Sequence, residues 1–392
     1  MPFCHFCHVH AGRPARHVLR TLALVCFAFA ANLSQATLSN WIGGGGNVNW
    51  STAGNWDVTP VNSSTTDVFF AGINNTGTAG TPLNQDIAGT LTVNRLVFSA
   101  GAGAFFLGGN SIQFNGNNNE LSQNSDSDQS IANSIDIDPG SNNQTYNITL
   151  DGNGTGLVTL SGGIHQGNGQ RDYALTKNGN SIFVLSGAST YSAGTTVNFG
   201  ELYINNTSGS GTGSGNVVVN GGTFGGSGTI SGAAAFAAGS SLSPGALGAG
   251  TTAIFRTGNL TLNSGSIFVL DLNNPVAGSG YDQVRVTGTV NINGSILSLN
   301  PGGGVSLGDT FFILANNGVD PITGTFSQGA TVTSGSYTFS INYMANFDGG
   351  AVANDISLTV IAILPEPSTW VAGVVAFAAM AHQTGRFFRR RR

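Results

Sequence analysis

The chain opens with Cys4, His5, Cys7, His8 and His10 inside "CHFCHVH", side-chain types that could ligate a transition metal. A zinc site needs a second ligand pair at defined spacing. None follows, so no metal centre and no cofactor are expected. Oxygen ligands gather at Asp126, Asp128, Asp136 and Asp138. Calcium takes several oxygens from one turn, yet neither an EF-hand loop nor a repeated Gly-Asp motif frames these acids, and they read as a solvated face. His165 is the only histidine between Ala36 and Ala381, with Ser161 and Asp172 nearby in sequence. A nucleophile, base and acid relay would depend on that one imidazole. A glycosidase needs two opposed carboxylates, and a lyase needs a base set against acids. Arg171, Asp172 and Lys177 are the nearest gathering and specify no reaction, so no catalytic residue is assigned. The glycines at 43–46 and 211–215 lack the Lys-Ser/Thr ending of a phosphate loop and read as turns.

Trp41, Trp50 and Trp56 fall close together, among glycines. Indole faces can stack on a sugar, which makes the three candidate glycan contacts. They can equally close the end of a stack of repeats.

These side chains need a scaffold, and composition points to strands. Between residues 37 and 363 the only glutamates are Glu120 and Glu201 and the only lysine is Lys177, so strong helix formers are scarce. Short alternating runs such as "SIFVL" (181–185), "NVVVN" (216–220) and "VNINGSILSLN" (290–300) are separated by Gly and Asn. That is the pattern of strands and tight turns. The spacing is irregular and no linker intervenes, which favours stacked coils over a fixed-period propeller. A β-sandwich is the competing arrangement. The expected fold is all-β, a right-handed parallel β-solenoid, with Ile182, Val184, Val217, Val219, Ile267, Val269, Ile292 and Ile296 in its inner rows.

Charge separates the ends from the body. Residues 21–385 hold five basic side chains, Arg95, Arg171, Lys177, Arg256 and Arg285, against 18 acidic ones. Nucleic-acid binding needs concentrated positive charge, so nucleic acid is excluded as a partner. Arg13, Arg16 and Arg20 precede the apolar "TLALVCFAFAA" and the small residues Ser34 and Ala36. That order predicts a signal peptide over 1–36, cleaved after Ala36, and engagement of the secretion machinery. Cys4, Cys7 and Cys26 all lie upstream of that cut, leaving no disulfide framework. At the other end, a short, mainly apolar run from Thr369 to Ala381 precedes Arg386, Arg389, Arg390, Arg391 and Arg392. This reads as a transmembrane segment over 369–385 with a cytoplasmic arginine stop.

Pro365-Glu366-Pro367, the apolar run and the arginines together resemble a PEP-CTERM sorting signal. The resemblance implies processing near the triplet by an exosortase-like enzyme, an inner-membrane intermediate, and final release to the cell surface or extracellular matrix. Residues 209–245, with Val217, Phe224, Ile230, Phe236 and Leu242 between glycine turns, resemble the autotransporter-associated β-strand repeat, as do "LSLNPGGG" (297–304) and "LGDTFFIL" (307–314). That resemblance implies a surface or passenger β-solenoid. No barrel-forming strands follow, so self-transport is not expected.

The expected organisation is a signal region (1–36), an aromatic cap (37–89), repeat coils (90–304), C-terminal β repeats or cap (305–363) and the sorting signal (364–392). The expected function is that of an exported structural or adhesion protein of the cell surface or matrix, with surface or matrix polysaccharide as a partner. The competing readings are a glycan-binding module and a polysaccharide lyase or glycoside hydrolase.

Overall fold

A computed structural model describes residues 36–364, apart from 138–145, 168–171, 246, 248–249, 318 and 351. Contacts divide the chain after Gln35, and the body from Ala36 onward is treated by itself.

The alternating runs become short strands that stack by parallel pairing. Eleven of them build a first sheet, beginning Thr37–Trp41, Thr66–Phe70, Arg95–Phe98 and Glu120–Gln123 and ending at Val290–Asn291. Ten build a second sheet, from Leu83–Gln85 to Ile296–Pro301. A third face carries Leu91–Val93, Ile112–Phe114, Ile135–Ile137 and Ile164–Gln166, then resumes with Ile254–Thr257, Gln283–Val286 and Thr310–Asn316. Successive strands visit these faces in turn, so the body is a parallel β-solenoid whose coils bury one another's inner faces. Between the two parts of the third face single residues keep the path. Thr190 N–H donates to Ile164 O at 3.0 Å and Ile230 N–H to Arg256 O at 2.9 Å, with Tyr191 and Ile230 buried.

Coil length varies while register holds. The first-sheet partner of Val217 is Ala234, whereas that of Leu260 is Val290, nearly twice as far along the chain. The difference is absorbed at the corners. There Asn220 donates to Asn198 and Asn198 to Asn178, each at 2.9 Å, linking three successive coils.

The inner row of the first sheet reads Val68, Leu96, Leu121, Leu150, Lys177, Val197, Val219, Phe236 and Leu262. In the second sheet Phe183, Leu202, Phe224, Leu242, Phe268 and Leu297 align inward. The expected inner rows therefore need correction in part. Val184, Val217, Val219 and Ile292 are buried, but Ile182, Ile267 and Val269 are only half-buried and Ile296 is exposed. In the runs "SIFVL" and "SILSL" every phase offers an apolar residue, and a shift of one residue exchanges the faces. Phe183 and Phe268, larger than their neighbours, and Leu297, whose phase also carries Leu299 where that of Ile296 carries Ser298, take the inside, where burial of such a side chain is worth roughly 1.5–3 kcal/mol.

The far end departs from parallel stacking. Asp355–Ile363 lies antiparallel to Thr310–Asn316, and Tyr337–Ala345 and Thr331–Ser334 continue the sheet antiparallel beyond it. Ser334 Oγ donates to Leu299 O, and the Gln328 side chain bonds both Leu297 N–H and O, so this segment ties into the last strand of the second sheet.

The C-terminal transmembrane sorting helix is withdrawn from the fold. Among the described residues no helix is long and apolar enough to cross a membrane, and the one helix there is the 3-10 turn Ala53–Asn55. The apolar run from Thr369 to Ala381 falls short of the roughly 20 residues that span a bilayer. Segment 369–385, Pro365, Glu366, Pro367 and Arg386 to Arg392 lie outside the described residues, as does Ser34. The membrane partner, the exosortase-like step and the inner-membrane intermediate all depended on that helix and fall with it, and the fold by itself gives no support to the secretion machinery or to a polysaccharide as partner.

Candidate functional site

A polar concavity lies on the outward side of the first sheet, where the loop 115–119 stands over the strands beside it. It encloses about 520 Å³ between Asn117, Asn119, Glu120, Tyr146, Asn147 and Asn178. Backbone pairing positions these groups. Asp67, Arg95, Glu120, Thr149, Thr176 and Thr196 are consecutive partners on one outward row, about 4.8 Å apart. Arg95 and Glu120 form the only ion pair among the described residues, at 2.9 Å. Asn94 donates to Asp67 at 2.7 Å and accepts from Asn118 N–H at 3.0 Å, anchoring the loop, while Gly116 N–H is held by Asn119 Oδ1 at 2.7 Å. Asn147 accepts from Thr176 at 2.9 Å and donates to Thr149 at 3.2 Å. The result is a groove of amides and hydroxyls with the carboxylates of Glu120, paired to Arg95, and of Asp151, an arrangement suited to hydrogen bonding. Its sequence signal was the run "NGNNNE" (115–120), which reads as a plain turn until pairing brings it over the sheet.

The acids considered for calcium act as braces between coils. Asp126 accepts from Thr155 N–H and Oγ1 at 3.2 and 2.8 Å, and Asp128 from Leu157 N–H at 2.9 Å. The bond from the Thr155 hydroxyl, with that from its N–H, holds the Asp126 carboxyl below its ordinary value. Asp136 accepts from Ser134 at 3.1 Å, and Asp138 lies outside the described residues. Histidine chemistry is not assembled either. His165 Nε2 meets Gly162 O at 3.1 Å and its Nδ1 meets Thr190 at 3.4 Å, while Ser161 bonds Ile131 O and Asp172 bonds Ser192.

The three tryptophans are core residues. Trp41, Trp50 and Trp56 are 3%, 0% and 3% exposed. Trp56 meets Trp41 at 4.9 Å and Trp50 at 5.4 Å, both edge-on, and all three contact Phe70. Trp41 Nε1 donates to Asn75 O and Trp56 Nε1 to Trp50 O. No ring face is open to a sugar, so the structure does not bring these residues together as a glycan platform. Gly43 to Gly46 gave the segment its look of an exposed loop; the indoles pack on Phe70 of the next coil, which itself packs on Phe98 and Phe105.

No protein-family model matches the chain, and no curated protein matches it. The resemblances to the sorting signal and to the strand repeat therefore rest on their motifs alone.

Lys177 was considered for chemistry and serves structure. It takes an inner-row position between Leu150 and Val197 and is 0% exposed. Its Nζ turns into the corner to donate to Asn178 O, Gly179 O and Phe199 O, 5.6 Å from the Phe183 ring centroid. Burial lowers its pKa from 10.5 to about 8, against the opposing pull of Asp151 and Glu201. Between those values the unfolded chain binds more protons than the folded one, so stability rises with pH; below about 8 the penalty is constant. Urea titrations from about pH 7 to pH 10 should show that rise, and Lys177→Met should flatten it. Burial also pushes the Tyr191 and Tyr203 phenols above their ordinary value, which places their opposing effect at higher pH. Equal slopes in the two proteins would count against the assignment.

Proposed function

We propose that the protein is a non-catalytic structural or adhesive β-solenoid that works by contact along its polar outward sheet. One observation carries this reading: the outward row from Asp67 to Thr196 stays in register across six strands, giving polar side chains at constant spacing with one ion pair. A partner with its own repeat can match such a row, whereas a reaction needs a few groups converging on one point. The acids nearest to a reactive arrangement are engaged as braces between coils, which also favours the reading. So does the resemblance of residues 209–245 to a repeat of surface and passenger solenoids.

The test replaces Thr149, Thr176 and Thr196 together with valine, which keeps their shape and strand preference and removes the hydroxyls. These threonines are on the outward side of the first sheet and half-buried, so the melting temperature should move by only a few degrees, as surface changes do. Cells lacking the protein should lose cohesion with one another, and the wild-type chain but not the triple variant should restore it. Full cohesion without the protein, or full rescue by the variant, would remove the contact role. Release of sugar products by the purified chain would favour the enzyme reading.

A further inference from the structure

On the third face Arg256, Arg285 and Ala315 are successive partners in register, on strands Ile254–Thr257, Gln283–Val286 and Thr310–Asn316. Arg256 is exposed and Arg285 half-buried, their stems about 4.8 Å apart. Like charges placed directly opposite each other destabilise a sheet. Neither guanidinium is in an ion pair among the described residues, although the body is poor in bases and rich in acids. Ala315 fills little of the next position on the row. A concavity of about 320 Å³ opens there, walled by both arginines, Asn316, Phe347 and Asp348.

Each wall is fixed in a way that leaves something unmet. Arg285 Nε donates to Gln283 at 2.8 Å, and Gln283 is itself tied to Phe312 O at 2.8 Å. This orients the guanidinium and leaves its two Nη groups without an acceptor among the described residues. Phe347 lies with its ring centroid 5.6 Å from Arg285 Cζ and 5.3 Å from the Phe312 ring. Asp355 also lines the concavity, its two oxygens accepting Asn316 N–H at 2.8 Å and Phe347 N–H at 2.6 Å, and it forms no ion pair with either arginine. Asn316 is 2% exposed and donates to Asp320 O at 3.1 Å, while its Oδ1 is buried with no partner. A buried carbonyl oxygen left unpaired is costly and calls for a donor.

We propose that this concavity binds a carboxylate carried on a hydroxylated ring, a uronic acid. The two guanidinia take the carboxylate, for which their planar donor geometry is suited. The Phe347 ring covers an apolar sugar face, and Asn316 Oδ1 accepts a ring hydroxyl. Phosphate would satisfy the arginines but brings neither a ring for Phe347 nor a reliable donor for Asn316. Asp348, which accepts Gly350 N–H at 2.9 Å, and Asp355 set two negative charges against the two positive ones, so it is the unmet Nη donors and not net charge that draw the carboxylate. The inference stands apart from the contact role of the first sheet, since it uses a different face.

Calorimetric titration of the full chain with D-glucuronate tests it. Saturable binding is expected, with the neutral methyl ester and inorganic phosphate each weaker by about tenfold or more. Arg285→Gln and Arg256→Gln should each weaken glucuronate by roughly ten- to a hundredfold. Ala315→Leu should abolish binding by filling the cavity with both arginines in place. Circular dichroism of each variant should stay that of the wild type, which separates lost binding from lost fold. A glucuronate trisaccharide that binds more tightly than the monosaccharide identifies a polymer as the source, and equal binding identifies the free sugar. Absence of saturable glucuronate binding overturns the proposal. Phosphate binding as tight as glucuronate, or an Ala315→Leu variant that binds normally, also overturns it.

Discussion

Phe224→Ala should lower the stability of the solenoid by about 3–5 kcal/mol, among the largest losses from any single truncation in the body. Phe224 is 0% exposed and belongs to the second sheet. Its ring lies 6.2 Å from Phe236 of the first sheet and 5.8 Å, edge-on, from Phe255 of the resumed third face. The three aromatics thus join all three walls at the level where the third face regains its strands. Removing the central ring takes away its own burial and leaves a cavity that two stiff neighbours from different sheets cannot easily collapse into. A urea titration measures it: the midpoint should fall sharply. Phe199→Ala is the control, because Phe199 is 61% exposed and its loss should stay within about 0.5 kcal/mol. A Phe224→Ala loss below about 1 kcal/mol would show that this level of the stack is not closed by the aromatic cluster.

The second large effect is expected at a corner. Gly152 has φ +109°, and a Cβ there would stand 2.0 Å from Gln123 O of the coil beneath. Backbone strain of this kind costs about 1–3 kcal/mol for a residue with a side chain. The collision adds to it, because the oxygen belongs to the neighbouring backbone and cannot swing aside. Gly152 O also accepts Ser181 N–H at 3.0 Å, so moving the corner away breaks a bond to the coil above. Gly152→Val should therefore leave little soluble folded chain. Gly239 separates the two contributions: its φ is +82° but nothing lies within 4 Å of an added Cβ. Gly239→Ala should cost only about 1 kcal/mol. Equal effects at the two sites would mean that coil contact contributes nothing at Gly152.

What the sequence disclosed follows from the reach of its signals. Alternation with Gly and Asn punctuation is local, and it pointed to short strands and to the stacked architecture. Phase was lost in "SIFVL" because consecutive apolar residues do not say which side is inside. The burial of Lys177 has no local signal, because only the stacked corner supplies the three carbonyls that accept its donors. The tryptophans lay among glycines that read as exposed loop, while they pack on one another and on Phe70 of the next coil. The antiparallel end was equally hidden, since "YTFSINYMA" and "DISLTVIAI" alternate in the same way whichever direction their partner runs. Arg256 and Arg285 are a full coil apart in sequence and become neighbours only through register.

The tolerance of the stack for coils as unequal as Val217 to Ala234 and Leu260 to Val290 has a consequence for how such a gene can change. Because register is set by the paired strands and the excess is housed at corners, small in-frame insertions there leave every inward row aligned. Loss of a stretch equal to one whole turn, such as that from Thr195 to its partner Val217, would rejoin equivalent points of the path. Descendants of this sequence can therefore differ in length by repeat slippage during replication while each remains foldable. Single-residue deletions inside a strand carry no such licence, since they exchange the inside and outside faces of everything up to the next corner.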